Sequence, residues 1–158
     1  MAKAQTETFQ INIIPTLDTS AYASGDAMDV KQEISFSGQI QDPVKSGIIA
    51  SIAIIDTAQQ SAAFDMEFFD QSIADQTDNA ACNVSAADAL KWLGRVSVTA
   101  ADYKDICAAH CAILNLADAG FHIRFPDAQS SLYMQLVSRD TPTYAADSLK
   151  IRISVLMD

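Results

Sequence analysis

The densest concentration of reactive side chains is the run Cys107-Ala108-Ala109-His110-Cys111. Zinc needs three or four thiolate or imidazole ligands converging on one tetrahedron. On an extended chain Cys107 and Cys111 point to one face and His110 to the other. Cys82 is the only further thiol. Haem attachment needs two residues between the cysteines and a His after the second. Here three residues intervene and His110 precedes Cys111. The expectation is packed free thiols, with no metal and no cofactor. Three cysteines are few and odd in number, which suits synthesis in a reducing cytosol better than a disulfide framework.

The other chemical candidates are thinner. His110 and His122 fall on different predicted strands, so neither has an evident partner for acid–base work. Asp75-Gln76-Thr77-Asp78-Asn79 carries oxygen ligands but lacks the alternating acids, the Gly and the final Glu of an EF-hand loop. It reads as a solvated turn. The five glycines, at 25, 38, 47, 94 and 120, form no phosphate-cradling loop, and no Ser sits in a nucleophile elbow. No catalytic residue is assigned, and the chain is not expected to be an enzyme. Asn83-Val84-Ser85 matches a glycosylation sequon, but Met1 to Glu7 has no apolar leader, so secretion is not expected.

The elements that position these residues are mostly strands. Apolar and polar residues alternate at Phe9–Ile13, Ile34–Ile40, Phe64–Phe68, Phe121–Phe125, Leu132–Leu136 and Leu149–Val155. Arg95–Val98 is a further short strand. Asp105–Leu116 is also read as one, although its alanines permit a helix. Ile48 to Ile55 is apolar on both faces and suits a central strand, covered on two sides or lying at an interface. Asp18–Asp29 reads as a long loop. Ser85 opens the one expected helix, about 85–93, with Gly94 as its stop. The expected fold is all-β: an antiparallel β-sandwich or jelly-roll-like barrel of about eight or nine short strands.

Composition sets the limits. The 158 residues and 17.0 kDa fit a single domain, 1–158, with residues 1–7 as a flexible arm. Ten Lys and Arg against twenty Asp and Glu give a net charge of −10, which disfavours direct nucleic-acid binding. Only Glu7, Glu33 and Glu67 are Glu, and the other acids are Asp, a residue of turns and strand ends. The longest apolar stretch, Gly47–Ile55, falls far short of the roughly 20 residues of a membrane helix. Trp92, Tyr22, Tyr103, Tyr133 and Tyr144 are expected on loops or outward faces, at an interface or lining a sugar-binding surface.

Several segments in order resemble the small structural proteins of tailed-bacteriophage virions, of the capsid decoration or cement type. They are Tyr22-Ala23-Ser24-Gly25-Asp26-Ala27-Met28, Ser46-Gly47-Ile48-Ile49-Ala50-Ser51, Asp56–Ala62, Phe64–Asp70, Asp78-Asn79-Ala80-Ala81, Leu93-Gly94-Arg95-Val96, Leu136–Arg139 and Thr141–Tyr144. The resemblance runs from about Thr8 to the end and brings no catalytic residue with it. It implies a compact β domain made in the bacterial cytoplasm and carried on the capsid exterior. Its partners would be the major capsid protein and further copies of itself, commonly as a trimer, without nucleic acid or membrane. The residues expected at the oligomer or capsid interface are Phe9, Ile11, Ile13, Ile49, Ile55, Trp92, Tyr133 and Tyr144. The N-terminal stretch Thr6–Leu17 is expected to add to a neighbour's sheet. The rival readings are a carbohydrate- or receptor-binding β-sandwich on a tail or fibre, and an enzyme assembled from Asp and His.

Overall fold

In Phe64-Asp65-Met66-Glu67-Phe68 the apolar side chains fall on one side of an extended chain, and burying that side is what makes it a strand. The same logic repeats along the chain. The computed structural model describes residues 7–36, 46–116, 121–124 and 131–157. Among these it forms ten strands: β1 (Glu7–Ile13), β2 (Ala27–Ser35), β3 (Ser46–Asp56), β4 (Phe64–Phe69), β5 (Trp92–Val98), β6 (Tyr103–Asp105), β7 (His110–Asn115), β8 (His122–Arg124), β9 (Ser131–Ser138) and β10 (Leu149–Met157). One short helix, α1 (Ala86–Ala89), and a 3-10 turn at Ala100–Asp102 complete the list of elements.

Two antiparallel sheets result. The larger has the order β1-β10-β3-β7-β6, with β8 also on β3; the smaller has the order β2-β9-β4-β5. Strand β7 pairs with Ser51–Asp56 and β8 with Ser46–Ile48, so they share one edge of β3 end to end. The pairing is nested: β1 with β10, β2 with β9, β3 with β7 and β8, β4 with β5. Successive pairs alternate between the two sheets. That is the wrapped double Greek key of a jelly roll.

The inner faces meet in one core. Phe9, Ile11 and Ile13 of β1 lie opposite Val155, Ile153 and Ile151 of β10, and Ile49, Ile52 and Ile54 of β3 continue the layer. The facing layer is Met28, Ile34, Leu132, Met134, Leu136, Phe64, Met66, Phe68, Val96 and Val98. Strand β3 keeps its phase by a bulge. Ser154 faces Ser51 but Val155 faces Ile49, so Ala50 is an extra residue and both Ile49 and Ile52 point inward.

Several expectations need correction. The helix ends at Ala89, because Trp92 and Leu93 already belong to β5, and Gly94 lies within that strand instead of capping the helix. Asp105–Leu116 is two strands joined by a tight turn, in which Cys107 has φ 76°. Strand β2 begins at Ala27, well inside the expected loop, and is broken by a bulge between Met28 and Gln32. Within that bulge Asp29, at φ 68°, accepts hydrogen bonds from the amides of Thr16 and Val30 and the side chain of Gln32. The N-terminal strand is not a free arm, since Glu7–Ile13 is already paired to β10 of its own chain. Residues 1–6 and the expected strand's Ile40 lie outside the described residues.

Gly94 has a packing reason. A Cβ there would come 2.9 Å from Cε2 of Phe121, whose ring stacks edge-on against Phe68 at 5.2 Å. Gly94→Ala should therefore cost about 1–3 kcal/mol through overpacking and its positive φ. In a double-mutant cycle with Phe121→Ala, measured by urea unfolding, the cost of the glycine substitution should shrink. An equal cost in both backgrounds would disprove the steric account.

Candidate functional site

Two surfaces stand out, one on the outer side of each sheet. Alternation places Thr8, Gln10 and Asn12 of β1, Lys150, Arg152, Ser154 and Leu156 of β10, and Ile48, Ala53 and Ile55 of β3 on the outside of the larger sheet. Cys111, Ile113 and Asn115 of β7, Lys104 of β6 and His122 of β8 join them. Arg152 bonds Asn12 across the strands at 3.1 Å, as neighbours on one face should. The β3–β7 stretch of this face is apolar: Ile113, directly opposite Ala53, is 75% exposed, and Ile48 and Ile55 are half-buried. No Asp or Glu falls on it among the described strand residues, in a chain with twenty acids. Lys104, Lys150 and Arg152 flank the apolar stripe.

The outer side of the smaller sheet is covered instead. Asp65, Glu67 and Phe69 of β4 and Gln135 and Val137 of β9 point outward yet are buried. The segment 70–91 folds across them, held by Ala27 to Ala80, Asn79 to Ala27, Cys82 to Gly25 and Asp70 to Lys91 backbone bonds. Between segment and sheet lies an open cleft of about 500 Å³, whose walls include Trp92, Glu67, Arg95, Arg139, Cys82, Val84 and Val137.

Charge in the cleft is paired. Glu67 accepts from Arg95 Nε at 2.6 Å and from Trp92 Nε1 at 2.8 Å, one oxygen each. Asp65 accepts from the Ser97 hydroxyl and from Arg139 Nε, both at 2.6 Å. Burial alone would raise the Asp65 carboxyl, but the Ser97 hydroxyl and the Arg139 and Arg95 guanidiniums outweigh it and hold it below the usual value. Burial and the nearby Glu67 push the Cys82 thiol up, which disfavours the reactive thiolate. The Asp65 shift fixes a sign. Its contribution to stability is present above the unfolded carboxylate pKa of about 3.9 and is lost as pH falls through the depressed folded value. Thermal melts should show the midpoint falling from about pH 4 downward, and Asp65→Asn should flatten that fall while lowering the midpoint at pH 7. An unchanged slope in the variant would mean that other carboxylates carry the acid limb.

The reactive residues singled out in the sequence stay apart. His110 lies opposite Asp56 and His122 opposite Ile48 on β3, about 26 Å apart at the rise of a strand. His110 Nδ1 is 2.6 Å from the Ser61 hydroxyl, but no carboxylate bonds the ring among the described residues, and neither residue lines the cleft. Among the described residues no three of His, Cys, Asp and Glu gather as metal ligands. One oxygen of each acid in the Asp75–Asn79 turn is engaged: Asp75 Oδ1 by Lys31 at 2.6 Å, and Asp78 Oδ1 by the Tyr22 hydroxyl and the Asp29 amide, both at 2.7 Å. No helix among the described residues is long and apolar enough to cross a membrane.

Of the expected interface residues, Ile13, Ile49 and Tyr144 are buried in the protein's own core and have no surface to offer. Phe9 and Ile11 also face inward. Tyr22 and Tyr103 are buried too, against the expectation of outward aromatics; Tyr22 stacks edge-on with Tyr144 at 6.5 Å. Ile55, Tyr133 and Trp92 remain accessible, Ile55 on the acid-free face, Tyr133 on β9 opposite Phe69, and Trp92 in the cleft. Sequence reasoning missed Ile113 and the Glu67–Arg95 and Asp65–Arg139 pairs. The i, i+2 spacing of Asp65 and Glu67 on a strand was the available signal.

Neither a protein-family model nor a curated protein matches the sequence. Among solved structures, the VP2 subviral particle of infectious bursal disease virus is similar over 97% of this chain and 33% of that chain, at 13% identity and a TM-score of 0.45. The chain thus spans about a third of that protein's length. Desmodium yellow mottle tymovirus is similar over 99% of this chain and 84% of that chain, at 10% identity and a TM-score of 0.29. The empty head of turnip yellow mosaic virus gives 99% and 83%, 8% identity and a TM-score of 0.29. Likenesses this distant assign no role to the chain. The jelly roll stands on its own strand order.

Proposed function

We propose that this chain is a non-enzymatic structural protein of a tailed-phage virion, seated on the outside of the capsid as a decoration protein and associating with itself as a trimer. The observation that carries the reading is the outer face of the larger sheet. An acidic protein that leaves Ile113 exposed and Ile48 and Ile55 half-buried on one sheet face, and keeps every acid off the strands there, has a surface suited to burial against another protein. The order of the segments that resemble virion decoration proteins points the same way. A trimer closes through heterologous contacts, so this face would meet a different patch on the next copy or on the shell. Contacts of this kind draw their energy from apolar burial and would brace adjacent capsomers against packaged DNA.

The test is the copy number of this chain in purified particles, by quantitative mass spectrometry against the major capsid protein. A ratio near one, or a simple fraction of it, is expected. A handful of copies per particle would move the chain to the tail or neck and favour the second reading, a carbohydrate-binding module, for which the open cleft beside Trp92 speaks. Absence from particles would overturn both.

A further inference from the structure

We propose that the cleft between segment 70–91 and the smaller sheet binds a saccharide bearing a carboxylate, with a sugar ring laid on Trp92 and the carboxylate held by Arg139. This goes beyond capsid attachment and stands whether the chain sits on the shell or on the tail.

Both oxygens of Glu67 and both oxygens of Asp65 have donors inside the protein. Among the described residues the cleft therefore has no uncommitted carboxylate for a cation. Its spare capacity is in donors. Arg139 uses Nε on Asp65, and the rest of its planar fork belongs to a side chain 39% exposed at the cleft wall. A guanidinium edge of that shape matches a carboxylate with two parallel hydrogen bonds. The four charges Asp65, Glu67, Arg95 and Arg139 sum to zero, so an anion entering here meets no local excess of acid despite the net charge of −10.

Trp92 supplies the second element. It is 51% exposed, an unusual position for the largest apolar side chain, and yet it is not loose. Its indole N–H is tied to Glu67, and Glu67 is tied to Arg95. With the N–H spent inward, the ring offers a rigid apolar surface and no donor. Such a surface suits the C–H face of a pyranose, and holding it in place beforehand lowers the entropic cost of binding. Val84 and Val137 add apolar wall, and the volume of about 500 Å³ lies within the roughly 300–1,000 Å³ of small-molecule sites.

Trp92 is the only tryptophan, so fluorescence excited selectively at tryptophan, away from the four tyrosines, reports on this cleft alone. The experiment titrates the full chain with trigalacturonate, with neutral galactotriose, and with trialanine as a carboxylate lacking a sugar. Saturable change with trigalacturonate is expected, with galactotriose weaker by about tenfold or more. Arg139→Gln should remove the preference for the acidic sugar, and Trp92→Ala, followed by calorimetry, should weaken trigalacturonate binding by about tenfold or more. Circular dichroism melts establish that the variants fold. Arg139→Lys, which keeps the charge and loses the fork, serves if the Gln variant does not. No saturable change at about 10 mM trigalacturonate, equal binding of the neutral sugar, or tighter binding of trialanine would each overturn the proposal.

Discussion

Ile113→Glu should abolish attachment of the purified protein to particles stripped of it, with an affinity loss of about 100-fold or more, while the domain stays folded. The side chain is 75% exposed, opposite Ala53 on the outer face of the larger sheet. Burying a carboxylate there without a partner costs several times what the methyl groups had contributed. In the free protein the same substitution touches little, so the thermal midpoint should move by no more than a surface change of about 0.5 kcal/mol allows. Ile55→Glu, on the neighbouring strand, should act alike. Gln76→Glu, on the segment that covers the other sheet, serves as the charge control and should leave attachment intact. Full occupancy of particles by Ile113→Glu would remove the observation on which the assembly reading rests.

Phe68→Ala should have the largest effect on stability. The ring is fully buried between the sheets and packs edge-on against Phe121 at 5.2 Å. Truncating a buried phenylalanine costs about 3–5 kcal/mol, partly transfer and partly the cavity left behind. For a domain of this size that is a fall in midpoint of about 10 °C. Against a typical total of about 5–15 kcal/mol, it leaves a protein close to unfolding at growth temperature. Differential scanning calorimetry gives the answer directly; a loss below about 1 kcal/mol would mean that Phe121 and its neighbours collapse into the space.

Strand alternation made most of the fold legible. Phe64–Phe68, Leu132–Leu136 and Leu149–Val155 were readable because each buries one side and wets or pairs the other. What failed did so for local reasons. The start of β2 was hidden because Asp29 sits in a bulge with positive φ, where Asp is a favourable residue and also a loop signal. Trp92 and Leu93 looked like the apolar side of a helix, since a two-turn window cannot separate the two periods. The double-sided apolarity of Ile48–Ile55 had two causes that the sequence merges: a bulge at Ala50 that shifts the phase, and an open outer face. Of the expected interface residues, Tyr144 and Ile49 proved to be core. The cleft was less legible still, because Glu67, Arg95 and Arg139 meet only through the pairing of β4 with β5 and β9.

The nested pairing also fixes an order of events at the ribosome. Strand β10 lies between β1 and β3, and it is made last of the three. Until it emerges, β1 has no sheet partner and β3 has one bare edge. Phe9 waits for Val155, across nearly the whole sequence. The larger sheet is therefore completed only after synthesis has passed residue 157, whatever the smaller sheet has already done. A stalled or truncated nascent chain would display unpaired edges and isoleucine-rich surface, and it is this interval, more than the finished domain, that exposes the protein to aggregation in a crowded cell.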